Sequence, residues 1–234
     1  MAVGTPEGTD DTSRKASLTD AVREKIERMI LGGAIPAGGR LNENALAAEL
    51  HVSRGPVREA ARSLEQAGLV TIVPHRGVFV RKISLEEALH LYDVRSGLAR
   101  AAGRLVALNI TGPQIDTLYA LYDEMEQARN AQDHNTYYLA NETFHLRLME
   151  AALNPRLFAI DEGIAKELRN FMKRGVLGNS RQRISNLQHR KILECVAIGD
   201  AEGAGYAYEL HVITGKQRML DSLAGDDTRR GTAG

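Results

Sequence analysis

The chain has 234 residues, 43% apolar and 26% charged, a composition that supports a buried core and excludes a disordered chain. Thirty basic residues balance thirty acidic ones, so no field of the whole molecule favours nucleic acid and any such case must be local. The single cysteine excludes an internal disulfide framework and suits a reducing compartment. No apolar run approaches the roughly 18 residues of a membrane span. The stretch from Met1 to Ser13 is polar and acidic, unlike a secretory signal. A cytoplasmic location and no membrane partner are therefore expected. With no Trp and 5% aromatics, the core must rest on Leu, Ile, Val and Ala, which suits packed helices.

Residues 1–16 and 224–234 lack periodicity and read as a disordered arm and tail. Leu18, Val22, Ile26, Met29 and Ile30 recur at spacings of three and four, which predicts a first helix stopped by Gly32-Gly33. Turn residues from Ile35 to Gly39 follow. A second helix begins at Asn42 or Asn44 and ends near Leu50. After the short break at His51-Val52, Ser53 can cap a third helix that reaches Ala67 and stops at Gly68. Leu69 to Val73 and Gly77 to Val80 flank Pro74-His75-Arg76-Gly77 and predict a hairpin. Beyond Lys82 every long segment has helical period. Ser84 with Glu87 forms a capping box that opens a helix to Asn109. Further helices are expected over Pro113–Asn130, Asn135–Leu153 and Arg156–Arg174. After a loop at Gly175–Asn179, Ser180 caps another helix to Ile198, and a last one ends near Leu223. The fold class expected is mainly α: a winged helix-turn-helix with a small β-hairpin wing over 17–82, then an antiparallel bundle of about six helices over 83–223.

The even charge conceals a division. From Arg14 to Lys82 there are twelve basic residues against seven acidic ones; from residue 83 onward there are eighteen against twenty. Ser53, Arg54 and Arg58 cluster at the start of the third helix, and Arg54 and Arg58, four apart, share one face. Such a helix start meets base edges and phosphates in a DNA groove. An arginine there can donate two hydrogen bonds to guanine, worth roughly 1–3 kcal/mol of discrimination. His75 and Arg76 sit at the hairpin tip, where they can reach the neighbouring minor groove or the backbone. Val57, Ala60, Ala61 and Leu64 fall on the core face.

The run from Ile35 to Leu41, Leu46-Ala47, Val52-Ser53-Arg54-Gly55-Pro56-Val57-Arg58-Glu59-Ala60, Gly68-Leu69-Val70 and Gly77-Val78-Phe79-Val80 together resemble the DNA-binding domain of GntR-family bacterial transcription regulators. The resemblance implies Arg54 and Arg58 as base readers, Ser53 and Gly55 as backbone contacts, and Gly77 as the wing tip. Asn44 stands where many relatives have Arg, and Gly55 where Thr or Ser is usual. An operator that differs from theirs is implied.

Three of the seven histidines lie well inside later helices. Asn141 and His145 share a helix face, and His189 and His211 lie on two other helices, so a bundle can bring all four to its axis. Three imidazoles and one oxygen donor with open positions suit Zn²⁺, Ni²⁺ or another divalent first-row ion. Phe144-His145, Leu187-Gln188-His189-Arg190, Ile198-Gly199-Asp200-Ala201 and Glu209-Leu210-His211 resemble the all-helical FCD effector domain of the FadR subfamily. There Asp and three His hold a metal whose open sites take a carboxylate metabolite. Here Asn141 stands in place of Asp, a weaker donor. Arg95 corresponds to an arginine that pairs with effector carboxylate, its alternative being an interhelical salt bridge, and Ala99 replaces a glutamate a turn later. His90 and His134 are expected to be exposed and Cys195 to be core.

These features predict a dimeric regulator, a repressor by preference, that binds double-stranded operator DNA and a small carboxylate effector and is not an enzyme. Two alternatives are a DNA-binding regulator whose metal-free bundle mainly dimerises, and a metal-assisted hydrolase. The second lacks a carboxylate placed as general base.

Overall fold

A computed structural model describes the backbone of residues 9–171 and 179–231, and side chains within 18–171 and 181–223. The described residues form two compact units. One runs to Ser84 and takes in a later helical segment from Ala165; the other holds Leu85 to Ile164 and the described residues from Asn179 onward.

The first unit comprises α1 (Thr9–Leu31), β1 (Arg40–Leu41), α2 (Glu43–Glu49), α3 (Arg54–Gln66), β2 (Val70–Val73) and β3 (Gly77–Val80). Val22, Ile26 and Ile30 of α1 meet Leu46 of α2, Val57, Ala60, Ala61 and Leu64 of α3, and Val70, Val78 and Val80 of the sheet in one apolar cluster. The expected core face of the third helix is thus the face that is buried. Asn42 settles the start of α2, its Oδ1 accepting from the Ala45 amide at 3.1 Å. Ser53 takes the N-cap position of α3 with extended backbone, but its hydroxyl makes no capping hydrogen bond, contrary to expectation.

The wing is a three-stranded antiparallel sheet, in the order β1-β3-β2, rather than a bare hairpin. Arg40 pairs with Phe79 and Leu41 with Val78, while β2 and β3 pair from Val70–Val80 to Val73–Gly77. Two residues are too short to display a period of two, so β1 carries no sequence signal.

The second unit is a helical bundle of α4 (Leu85–Asn109), α5 (Gly112–Asn130), α6 (His134–Ala151), the first part of α7 (Pro155–Phe171), α8 (Asn179–Ala197) and α9 (Ala201–Gly231). Short polar side chains start these helices by satisfying free amides. Gln114 Oε1 accepts from the Thr111 amide at 2.9 Å, Asp133 from Thr136 at 3.0 Å, Asn154 from Leu157 at 3.1 Å and Asp200 from Gly203 at 2.9 Å. Gly103 of α4 is buried against α9: a Cβ there would stand 2.5 Å from the Ala204 carbonyl oxygen, and one on Gly205 would stand 2.8 Å from that of Arg100. The two backbones meet where neither helix has a side chain to separate them.

Helix α1 begins at Thr9 and α9 extends to Gly231, so residues 9–16 and 224–231, expected as irregular, have helical backbone. Extending an established helix fixes one residue per added hydrogen bond, which polar residues tolerate. Residues 1–8 and 232–234, most of the expected loop at Gly175–Asn179 and the Ser180 cap lie outside the described residues. Among the described residues no helix is long and apolar enough to cross a membrane.

Candidate functional site

In the first unit the start of α3 is open to solvent. Ser53, Arg54, Gly55 and Arg58 are exposed while Pro56 and Val57 beside them are buried, so the helix is anchored by one face and offers the other. Among the described residues no hydrogen bond or ion pair engages Arg54 or Arg58. Arg62, a turn further on, is held by Glu59 at 2.8 Å. Asn44 is exposed on α2. At the wing, His75 is exposed with φ 60°, Arg76 is exposed, and the Arg76 amide donates to Val73 O at 3.0 Å to close the turn. Gly77 has φ 109°, a conformation that favours glycine, and a Cβ there would lie 3.1 Å from Arg40 Nε. Arg40, which the sequence reading did not single out, therefore stands beside the wing tip. Glu65 Oε1 accepts from the Ile72 amide at 2.7 Å and ties α3 to the wing.

In the second unit three helices bring His145, His189 and His211 together, with one ligand atom from each within 4.8 Å of the others. His145 Nε2 lies 3.3 Å from both His189 Nε2 and His211 Nε2. Phe144 packs against His189 with ring centroids 4.7 Å apart, and Tyr208 stacks on His145 at 6.0 Å. Burial is the main cause that holds all three imidazoles below their ordinary pKa, His189 at about 3, and Arg218 adds to the effect on each. The rings are neutral at pH 7, as ligation requires.

The proton on His211 is placed by its neighbours. Arg218 Nη1 donates to Gln188 Oε1 at 3.1 Å, and Gln188 Nε2 donates to Thr214 Oγ1 at 2.8 Å. An arginine can only donate, so the amide atom it faces is the oxygen. His211 Nδ1, 3.2 Å from that same oxygen, must carry its proton, which leaves the Nε2 lone pair facing the other histidines.

Three nitrogen donors in this arrangement fit a divalent ion. Zn–N bonds of about 2.0–2.1 Å at tetrahedral angles place nitrogens about 3.3–3.4 Å apart, close to the spacing of His145 from its two neighbours. His145 Nδ1 and His189 Nδ1 are buried with no hydrogen-bond partner among the described residues. Asn141 lies one turn before His145, half-buried, with no hydrogen bond to its amide among the described residues.

Arg95 is not a free cation. Its Nε donates to Asp161 Oδ1 at 2.9 Å and its Nη2 to Oδ2 at 3.4 Å, a two-pronged pair in which Asp161 is buried. The interhelical salt bridge is the arrangement present, because α7 supplies a carboxylate that no local pattern near Arg95 reveals. Ala99 is fully buried. His90 is exposed and Cys195 buried as expected, but His134 is half-buried, its Nδ1 3.1 Å from Gln182 Nε2.

Residues 90–214 match the FCD domain family and residues 18–80 match the bacterial regulatory proteins of the gntR family. The chain belongs to the GntR family of regulators that carry an FCD domain. It is 29% identical, over 87% of its length and 90% of the relative's, to a probable D-xylose utilization operon transcriptional repressor of Paenarthrobacter nicotinovorans. It is 32% identical to the Nta operon transcriptional regulator of Aminobacter aminovorans, over 68% of this chain and 74% of that one. In fold it is similar to McbR/YncC of E. coli, with a TM-score of 0.73 at 22% identity over 88% of this chain and 98% of that one. A GntR-type transcriptional regulator from Rhodococcus sp. RHA1 gives 0.69 at 25% identity over 88% and 98% of the two chains. The role of this GntR-family chain is regulation of transcription, not catalysis.

Two groups at the histidine centre went unnoticed in the sequence. Arg218 follows His211 by seven residues, a spacing that returns to the same helix face and could have revealed it. Asp161 gave no such signal.

Proposed function

We propose that this chain is a repressor that binds a palindromic operator as a homodimer through residues 17–82 and senses a small carboxylate at a divalent-metal centre within residues 83–223. The observation that carries the reading is the convergence of three neutral imidazoles, two buried and one half-buried, one of them with its tautomer set from behind by Gln188. His145, His189 and His211 would hold Zn²⁺ or Ni²⁺, with Asn141 adding an amide oxygen. When bound, the ion supplies a Lewis-acidic centre with open positions for carboxylate oxygens. On the DNA side, Arg54 and Arg58 would read base edges. Ser53, Gly55 and Asn44 would hold the backbone, and His75, Arg76 and Gly77 would approach the adjoining groove.

A ligand that favours one state of the dimer must change DNA affinity by the same free energy by which DNA changes ligand affinity, typically about 1–3 kcal/mol. The name of the D-xylose operon relative supports repression as the direction. A metal-free bundle that only dimerises is less well supported, because His145 Nε2 stands 3.3 Å from both other Nε2 atoms and has a single hydrogen or a single lone pair to offer the two.

Metal analysis of protein purified without a histidine tag tests the centre. Near-stoichiometric Zn²⁺ or Ni²⁺, lost in His189→Ala, is expected; less than about a tenth of an equivalent, with none taken up on dialysis, overturns it. Selection from random duplexes tests the operator, with an inverted repeat as the expected result.

A further inference from the structure

Strand β1 brings one long polar side chain to the wing. Arg40 lies opposite Phe79 and Leu41 opposite Val78. Leu41, Val78 and Val80 are buried, so Arg40 stands on the other, outward face of the sheet, where it is exposed. The side chain runs along β3 toward the turn and lies over Gly77, its diagonal neighbour on that face. A Cβ on Gly77 would stand 3.1 Å from Arg40 Nε, 3.3 Å from Nη2 and 3.6 Å from Cζ. Glycine is required there on two grounds, its φ of 109° and the arginine that fills the place of a side chain.

Among the described residues the Arg40 guanidinium makes no hydrogen bond or ion pair. The chain from Ala67 to Ser84 has no acidic residue but has His75, Arg76, Arg81 and Lys82. Arg81 is held by Glu167, whereas His75 and Arg76 are exposed at the turn beside Gly77. The wing tip thus gathers Arg40, His75 and Arg76 with no carboxylate in the hairpin that carries it. The support is firm as well. Gly38 N donates to Val80 O at 2.9 Å and Val80 N donates to Gly39 O at 2.8 Å, so the backbone leading into Arg40 is fixed to β3. A planar guanidinium laid against backbone loses less freedom on binding than a lysine at a loop tip.

We infer that Arg40 is the wing's sequence-reading residue: it enters the minor groove that flanks each half-site and selects a narrow, A·T-rich groove there. The inference rests on the reading of residues 17–82 as an operator-binding unit. A narrow A·T minor groove carries an enhanced negative potential, and a guanidinium sheds water more readily than an ammonium, so arginine is the side chain that such a groove attracts. Guanine opposes entry, because its 2-amino group adds a donor to the groove floor where Arg40 has only donors to offer. Arg54 and Arg58 face the major groove in that reading, so the wing adds base pairs that α3 does not touch.

The test is fluorescence anisotropy at fixed salt on the operator that wild-type protein selects from random duplexes, with the flanking base pairs made A·T, G·C or inosine·C. Inosine keeps the major-groove edge of guanine but lacks the 2-amino group, so it separates the two grooves. Wild type should bind the A·T and inosine·C forms about tenfold more tightly than the G·C form. Arg40→Gln should keep its circular dichroism and thermal midpoint and bind the three forms within about twofold of one another. Arg40→Lys, which keeps the charge without the flat guanidinium, should retain part of the preference. Wild type that treats inosine·C like G·C, or folded Arg40→Gln that keeps the preference, overturns the inference. So does a uniform loss across the three flanks with a shallower salt dependence, which is what a phosphate contact gives. Arg58→Ala serves as the control. An operator whose recognition depends on Arg58 and not on Arg40 sinks this inference alone, whereas a selection that returns no preferred sequence sinks the operator reading and this inference together.

Discussion

Arginines at four positions in this chain share a charge and differ in what surrounds them. Arg54 and Arg58 are exposed with no partner among the described residues, Arg95 is locked to a buried aspartate, and Arg218 is half-buried with an amide for company. Their consequences on substitution should differ accordingly. Arg58→Ala should leave thermal stability unchanged, since exposed side chains without partners contribute within about 0.5 kcal/mol. It should reduce the ratio of operator to scrambled-duplex affinity by about tenfold or more, measured by fluorescence anisotropy at fixed salt. An unchanged ratio would remove Arg58 from the reading set. Arg95→Met should behave in the opposite manner. It strands the Asp161 carboxylate in the interior and should lower stability by about 3 kcal/mol in denaturant titration. Arg95→Met/Asp161→Leu should regain most of that loss, because removing both partners leaves no buried charge.

Helices in this protein are positioned by small residues as much as by large ones. The contact of α4 with α9 depends on Gly103 and Gly205, where backbone meets backbone. On propensity alone, Gly103→Ala inside a helix should stabilise by about 1 kcal/mol. The structure predicts the other sign. The new methyl would overlap the Ala204 carbonyl, a group held in its own helix, so α4 and α9 must separate and expose apolar surface. A net loss of about 1–3 kcal/mol is expected from urea unfolding, and a gain would show that the helices have another way to pack. The contact also lies on helices that carry Arg95 and His211, so the spacing set at Gly103 is part of what holds the centre in place. At α3 the balance differs. Its buried face anchors it to α1 and the sheet, and Glu65 fastens it to β2, so the polar start of the helix is presented by a firm support.

For the molecule as a whole, three neutral histidines, two of them buried and His145 half-buried, make stability depend on pH. In the unfolded chain each protonates near its ordinary value of about 6.5, whereas in the folded chain all three are held lower, His189 at about 3. Below pH 6.5 the unfolded state therefore binds more protons, and stability falls as pH falls toward the folded value. Above pH 6.5 the contribution is fully present. The slope is about 1.4 kcal/mol per pH unit for each histidine. Chelated protein should lose denaturant resistance between pH 6.5 and 5, and His189→Asn should show a shallower decline. Equal slopes would mean that His189 takes up its proton without unfolding. Ion binding would add to this dependence, because a ligand of the folded state stabilises by about 2.7 kcal/mol at a hundredfold excess over its Kd, and protons compete for the same nitrogens.

Periodicity and turn chemistry in the chain were enough to establish the helix-turn-helix, the hairpin of the wing and the six later helices, because those features depend on neighbours a few residues away. Val57, Ala60, Ala61 and Leu64 could be placed on the core face of α3 by spacing alone, and all four are buried. Contacts between distant segments were hidden. The two-residue strand Arg40–Leu41 exists because β3 offers it a partner, and Arg95 is paired because α7 carries Asp161 to it. Which arginine keeps its charge for a ligand is set by what packs around each one after folding, since desolvation and counter-charge act through space and leave no trace in local sequence.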